Sequence, residues 1–266
     1  MIAIRSCSGF DELEACVQMQ IETWGYDPRD VLPRKAYLLT QKIGGQVIGA
    51  FDTEIAGGGA KSLVGFALSL PGMKNYERGP RAYLHSHMLA VREAYRNRGL
   101  GAKLKLEQRR EALKRGIRHM ELTFDPLEIK NAYLNLHKLG AIARRYEVNF
   151  YGASSSRLQA GLPTDRLVAE WELDSPRVEA ALEGRAADER EIEARIPVPA
   201  VISAWRAAED ERERALAVQS ENRIKFQAAF SHGLVVVGFT RDADGNGIYE
   251  LGPLLQSDAS LDLQGK

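Results

Sequence analysis

The chain has 266 residues, 36 Lys and Arg against 36 Asp and Glu, and 44% hydrophobic residues. That length buries a sizeable core; it is long for one α/β domain and short for two full ones. Zero net charge gives no global field for nucleic acid or a membrane surface, and no apolar run is long enough to span a bilayer. The N-terminal Met1-Ile-Ala-Ile-Arg5 lacks the basic-then-apolar pattern of a secretory leader. Cys7 and Cys16 form neither a disulfide framework nor a metal-ligand spacing, which suits a reducing compartment. The expectation is a soluble cytoplasmic protein with no metal and no nucleic-acid or membrane partner.

In chain order, Ile2 to Ile4 reads as a short strand, and Phe10 to Trp24 as a helix with Leu13, Val17, Ile21 and Trp24 on one stripe. Tyr37 to Ile43, Gly44-Gly45 and Gln46 to Phe51 read as a hairpin, because Gly-Gly suits a two-residue turn. After Gly57-Gly58-Gly59, a strand from Leu63 to Leu70 is expected to close at Pro71-Gly72. Tyr83 to Val91 is the next strand, Ala102 to Arg115 a helix, His119 to Phe124 a strand and Asn131 to Leu139 a helix ended by Gly140. Ala141 to Tyr151 and Leu167 to Leu173 complete the sheet. Ser175-Pro176 starts a helix that Gly184 ends, the serine capping and the proline in the first turn. Glu191 to Ile196 alternates like a strand, Ser203 to Phe230 reads as one long helix, and Leu234 to Phe239 with Ile248 to Leu251 as a hairpin. Asp242-Ala-Asp244-Gly-Asn246-Gly247 copies half of a calcium loop. The twelfth position holds Pro253, so it reads as a turn.

The chemistry concentrates between His85 and Gly101. The strand ends at Val91, and the chain turns through Arg96-Asn97-Arg98-Gly99-Leu100-Gly101 into a helix. Glycines there let successive N–H groups point at one spot, with a helix N-terminus behind them and Arg96 and Arg98 adding charge. From Arg92 to Arg118 there are ten Lys or Arg against three Glu. The turn is built for an anion such as a phosphate; a glycine pair that merely relieves backbone strain is the plain alternative. His85 and His87 lie two apart on the strand, so they share a face, with Leu89 and Val91 continuing it. The pair reads either as a base near neutrality or as hydrogen-bonded core residues; no Cys or carboxylate nearby completes a metal set.

Strand, Arg-x-x-Gly-x-Gly turn and basic helix resemble the acyl-CoA pyrophosphate cradle of the GNAT superfamily of N-acyltransferases. His85-Ser-His87-Met-Leu89-Ala-Val91 is similar to the His-x-His-x-Leu-Ala-Val strand of the serotonin N-acetyltransferase group. The resemblance implies an α/β (α+β) fold, a GNAT-type mixed central sheet flanked by helices, over roughly the first two-thirds of the chain. A small C-terminal β-α-β-β extension follows. The implied division is an acyltransferase domain at 1–175, a linker helix and strand at 176–196, and an extension at 197–266 that packs on the first domain or pairs two subunits. It further implies acetyl-CoA or another acyl-CoA, cradled by Arg96, Asn97, Arg98, Gly99, Leu100 and Gly101. Leu89, Ala90 and Val91 would pair with the pantetheine arm, and Asn131 would reach its amides. His87 and His85 would take the proton of a small-molecule amine, and the Val91 amide would face the thioester oxygen. Asp125 is a candidate for an ammonium and Arg166 for a carboxylate, against plainer readings as a turn residue and a surface ion pair. The sequence departs from the family pattern at the general acid: the tyrosine expected four residues before Gly140 is Leu136, with Tyr133 and His137 near it.

Overall fold

The computed structural model describes residues 1–76, 79–185 and 190–255. They form two compact units: Met1–Lys74, Pro80–Met120 and Ser155–Arg157 make the first, and the remaining described residues the second. No helix among the described residues is long and apolar enough to cross a membrane.

The first unit contains β1 (Ile2–Ser6), α1 (Gly9–Trp24), α2 (Arg34–Lys42), β2 (Gln46–Asp52), most of β3 (Leu63–Tyr76) and of β4 (Gly79–Val91), and α3 (Leu100–Lys114). Its strands lie in the order β1-β2-β3-β4. β1 and β3 run antiparallel to β2, with Ile2 opposite Asp52 and Gln46 opposite Ser69. Alternation along the strands supplies two cores. Val47, Phe51, Phe66, Leu68, Met88 and Ala90 pack with Leu13, Cys16 and Met19 of α1 and Tyr37 of α2. Ile48, Ala50, Val64 and Ala67 pack with Leu100 and Leu104 of α3. α1 and α2 therefore cover one face of the sheet and α3 the other. The free thiols Cys7 and Cys16 come within 3.8 Å in the first core.

The expected hairpin at Tyr37 to Phe51 is corrected: Arg34–Lys42 is a helix. Tyr37 and Thr40, three apart, are its buried face, a spacing that helix period satisfies and strand period does not. Gly44 (φ 98°) ends it, and a side chain at Gly45 would collide with Thr40 Cγ2 and the Ser69 carbonyl. The strand expected to close at Leu70 runs on to Tyr76, because β3 and β4 are the arms of one long hairpin. Gly72 leaves the room that the Tyr83 ring fills.

The second unit contains most of β5 (His119–Phe124), α4 (Ile129–Ala132) continued by π-helical turns at Tyr133–Lys138, β6 (Ile142–Glu147), β7 (Arg166–Glu172), α5 (Pro176–Leu182), β8 (Ala194–Val198), α6 (Ile202–Ala207), α7 (Arg212–Ser231), β9 (Leu234–Arg241) and β10 (Gly247–Pro253). The strand order is β5-β7-β6-β9-β10-β8. β6 is shorter than expected, ending at Glu147. The C-terminal strands continue its sheet: β9 takes the edge of β6, with Ala143 opposite Val236. Ser175 caps α5 by accepting the Val178 N–H, with Pro176 in the first turn, as its sequence demands. The single helix expected from Ser203 to Phe230 is instead α6, a 3-10 turn at Glu209–Glu211 and α7, broken where Ala208 is extended (φ −84°, ψ 123°). Asp242 accepts from the N–H groups of Asp244 and Asn246, which makes Asp242 to Asn246 a tight turn between β9 and β10.

Trp171, Phe226, Phe239 and Tyr249 are fully buried, with Tyr249 edge-on to Phe226 and Phe239. Two buried acid sites in this unit are neutralised from the C-terminal helices. Arg206 pairs with Asp125 at 3.0 Å and Glu128 at 2.9 Å, and Arg223 pairs with Asp165 at 2.9 Å.

Candidate active site

The first unit brings the histidine strand and the glycine turn together. A 3-10 turn at Glu93–Tyr95 follows β4, and the chain enters α3 at Leu100. Gly99 sits at the helix N-cap with φ 73°, and Asn97 is also left-handed at φ 61°. Gly101 lies inside the helix rather than in the turn, so the conformational demand falls on Asn97 and Gly99. Lys103 is the first residue whose N–H bonds back, to the Gly99 carbonyl at 3.1 Å. The amides of Leu100, Gly101 and Ala102 therefore have no intrahelical acceptor. A Cβ built at Gly99 meets no atom within 4 Å, so the space before the turn is open. Arg96 turns back to donate to the Val91 carbonyl at 3.0 Å, and the Arg98 guanidinium lies 5.6 Å from the centre of the Tyr95 ring. Tyr95 is fixed by its hydroxyl, which donates to Asp52 at 2.7 Å. Beside the turn, Tyr95, Arg98, Leu100 and Lys103 line a cavity of about 210 Å³ with Asp52 and Glu54. Amides, open space and an exposed arginine fit the pyrophosphate of an acyl-CoA.

On β4, strict alternation would put Ser86, Met88 and Ala90 on one face. The structure does otherwise. Ser86 bonds to Lys105 and Gln108 of α3, whereas Met88 and Ala90 pack in the α1–α2 core. Leu89 and Val91 face the α3 core. The strand changes phase between Ser86 and Leu89, the effect of a β-bulge. His85 and His87, flanking Ser86, thus face away from α3, and Leu89 and Val91 do not continue their face. That corrects the sequence expectation. The histidine rings are 6.0 Å apart, at 41° to one another. Burial, and then the neighbouring His85, push the His87 pKa down to about 4. Its imidazole is neutral at physiological pH, with a lone pair to accept a proton.

The other sequence candidates lie in the second unit. Asn131 is exposed on α4. Asp125 is buried and engaged, one oxygen accepting from the Leu127 N–H at 2.9 Å and the other paired with Arg206. Arg166 donates to the Asp165 carbonyl at 2.7 Å and lies over the Tyr151 ring. Leu136 is buried, while Tyr133 and His137 stack at 4.5 Å. Among the described residues no three His, Cys, Asp or Glu gather as a metal site.

Sequence reasoning missed the residues beneath β4. Lys105 is 3% exposed and donates to Ser86 Oγ at 2.6 Å; Ser86 donates to Gln108 Oε1 at 3.0 Å; Gln108 donates to Ser69 Oγ at 2.5 Å; and Gln46 donates to the Gln108 carbonyl at 3.0 Å. Burial alone lowers the Lys105 pKa to about 7. A signal was present: Leu100, Leu104 and Ala112 mark the apolar stripe of α3, and Lys105 and Gln108 lie within it.

The α/β fold and its anion-accepting turn are of a class found among known proteins. Residues 14–140 match the acetyltransferase (GNAT) family. Residues 14–140 thus carry a GNAT acetyltransferase domain, the domain of acyl-CoA-dependent N-acetyltransferases. Among solved structures it is similar to Arabidopsis thaliana NAA60 in complex with acetyl-CoA: 17% identity, TM-score 0.54, covering 64% of this chain and 98% of that one. It is also similar to yncA of Salmonella typhimurium with acetyl-CoA, at 17% identity and TM-score 0.51, covering 66% and 95%. The NatC complex bound to Gag peptide and CoA gives 12% identity and TM-score 0.50, covering 64% and 98%. At these identities the likeness is one of fold. No curated protein matches the sequence.

Proposed function

We propose that the chain moves an acyl group from acyl-CoA to the primary amine of a small molecule, by direct attack in a ternary complex. The observation that carries this reading is the continuity of the paired histidines, the phase-shifted strand end and the Gly99 turn within one compact unit. Bound acyl-CoA supplies an acyl thioester. The amides of Leu100 and Gly101, with Arg98, hold the pyrophosphate, and the Leu89–Val91 backbone lies along the pantetheine arm. The Val91 N–H polarises the thioester oxygen. His87 accepts the proton that the amine nitrogen gives up as it bonds to the acyl carbon, with His85 sharing a water in the path. The CoA sulfur leaves with the electron pair of the broken C–S bond. An alkyl thiol ionises at about 8.5 or somewhat above, far below an alcohol or an amine, so the thiolate is a tolerable leaving group without a tyrosine at position 136. Asp125, Asn131 and Arg166 are not needed for this reading.

The test is thiol release from acetyl-, propionyl- and succinyl-CoA against a library of small amines, with peptide amines as a parallel arm. Turnover with a small amine, lost in a His85/His87 double variant, is expected. Turnover with peptides alone would transfer the reading to a protein acceptor, and binding of CoA without turnover would overturn it.

A further inference from the structure

The polar network under β4 has no place in the proton path or the phosphate turn, yet it is held where apolar contact would be less costly. Lys105 is a buried amine with no carboxylate partner among the described residues, and burial of such a group is unfavourable. Gln46 lies in the same layer with its Oε1 unpaired. An apolar α3 stripe would avoid both penalties. What it would not provide is direction: van der Waals contacts tolerate sliding, whereas hydrogen bonds of 2.5–3.0 Å fix atoms to a few tenths of an ångström.

The bonds are also distributed. α3 is tied to each of three adjacent strands: to β2 through Gln46, to β3 through Ser69 and to β4 through Ser86. The β4 tie is doubled, since Ser86 accepts from Lys105 and donates to Gln108. Ser86 is also the residue after which β4 changes phase. A one-residue slip there would exchange the faces of His85 and His87 with that of Ser86.

We infer that Lys105 and Gln108 are positioning residues: through Ser86 they lock the phase shift of β4, and so set the histidine pair and the Leu89–Val91 backbone in register with the helix that carries the phosphate turn. This rests on the proposed acyl transfer for its catalytic meaning, but the geometric claim has its own readout.

The experiment compares Ser86→Ala, Lys105→Met and the double variant with Ser86→Thr, which keeps the hydroxyl. The imidazole resonances of His87 are titrated by NMR in the whole protein. In the wild type His87 is expected to titrate near 4, lowered by its burial and then by His85. Loss of the lock should re-solvate the ring and move its titration up by about one unit or more. Ser86→Thr should stay with the wild type, and the double variant should be no worse than the worse single one. Acetyl transfer should fall about tenfold in kcat, with CoA affinity by calorimetry changed less than about twofold. Ser86→Ala breaks the same bond with minimal change of volume, and it decides the question whatever Lys105→Met does to stability. An unchanged His87 titration in Ser86→Ala would overturn the inference, as would unchanged kcat in an otherwise active enzyme. A wild type that binds no CoA would defeat the proposed function instead, leaving the titration to judge the lock.

Discussion

His87 illustrates how burial selects a protonation state. With its pKa near 4, the imidazole is neutral across the working range, so its loss of function on acidification belongs near pH 4 rather than near the ordinary histidine value. His87→Ala should lower kcat by about 10²–10⁴-fold with little change in CoA affinity, and His87→Gln should be nearly as poor. The pH dependence of kcat/KM checks the state. A wild-type inflection at 6.5 that disappears in His87→Gln would mean that the ring is solvated at work. At Gly99 the argument is about backbone. Its φ of 73° is strained for a β-branched residue, and the side chain would enter the open space before the turn. Gly99→Val should weaken CoA binding by about 1–3 kcal/mol, read by calorimetry, while the fold survives.

At the scale of the element, α3 does two things with one helix: its N-terminus presents amides, and its buried stripe carries a lysine. The Lys105 pKa is lowered from 10.5 in the unfolded chain to about 7 in the folded protein. Between those values the unfolded chain holds a proton that the folded protein lacks, so stability rises with pH from about 7 to 10.5. Below 7 both states are protonated and the slope vanishes. Lys105→Met should remove the slope and raise the melting temperature at or below pH 7, because no charge is then buried. Melting temperatures at pH 6, 8 and 10 for both proteins measure this directly. Equal slopes would show that the amine is not buried as the structure has it.

On the scale of the whole molecule, the C-terminal third is built into the second unit. Arg206 and Arg223 reach from α6 and α7 to Asp125 and Asp165, residues of the middle of the chain, and β9 occupies the edge of β6. Ending the chain after Leu173 removes both cations and uncovers that strand edge, so the product should be insoluble or aggregated. A truncated protein that remains soluble and melts cooperatively would show that the edge and the acids manage alone. Arg206→Met is the finer probe. It leaves the buried Asp125 without its cation beside the half-buried Glu128, whose pKa is already raised by desolvation and by Asp125. A loss of about 3–5 kcal/mol in denaturant unfolding is expected.

Much was legible because it depends on neighbours in sequence. The Ser175-Pro176 helix start, the Asp242 turn and the strand–turn–helix from Tyr83 to Lys114 are local, written in capping residues, left-handed positions and periodicity. The family resemblance was legible for the same reason, since its motif is a contiguous run from His85 to Gly101. Tertiary structure decided what depends on distant partners. Gly44-Gly45 ends a helix rather than turning a hairpin because Thr40 and Ser69 close on Gly45. The β4 phase shift exists because Ser86 is drawn to Lys105 and Gln108 on a helix some twenty residues away. Asp125 is engaged because Arg206, far along the chain, is brought to it. Periodicity reports which residues share a face of an isolated element. Which face is buried, which bond interrupts the alternation, and which charge is answered are set only when the elements meet.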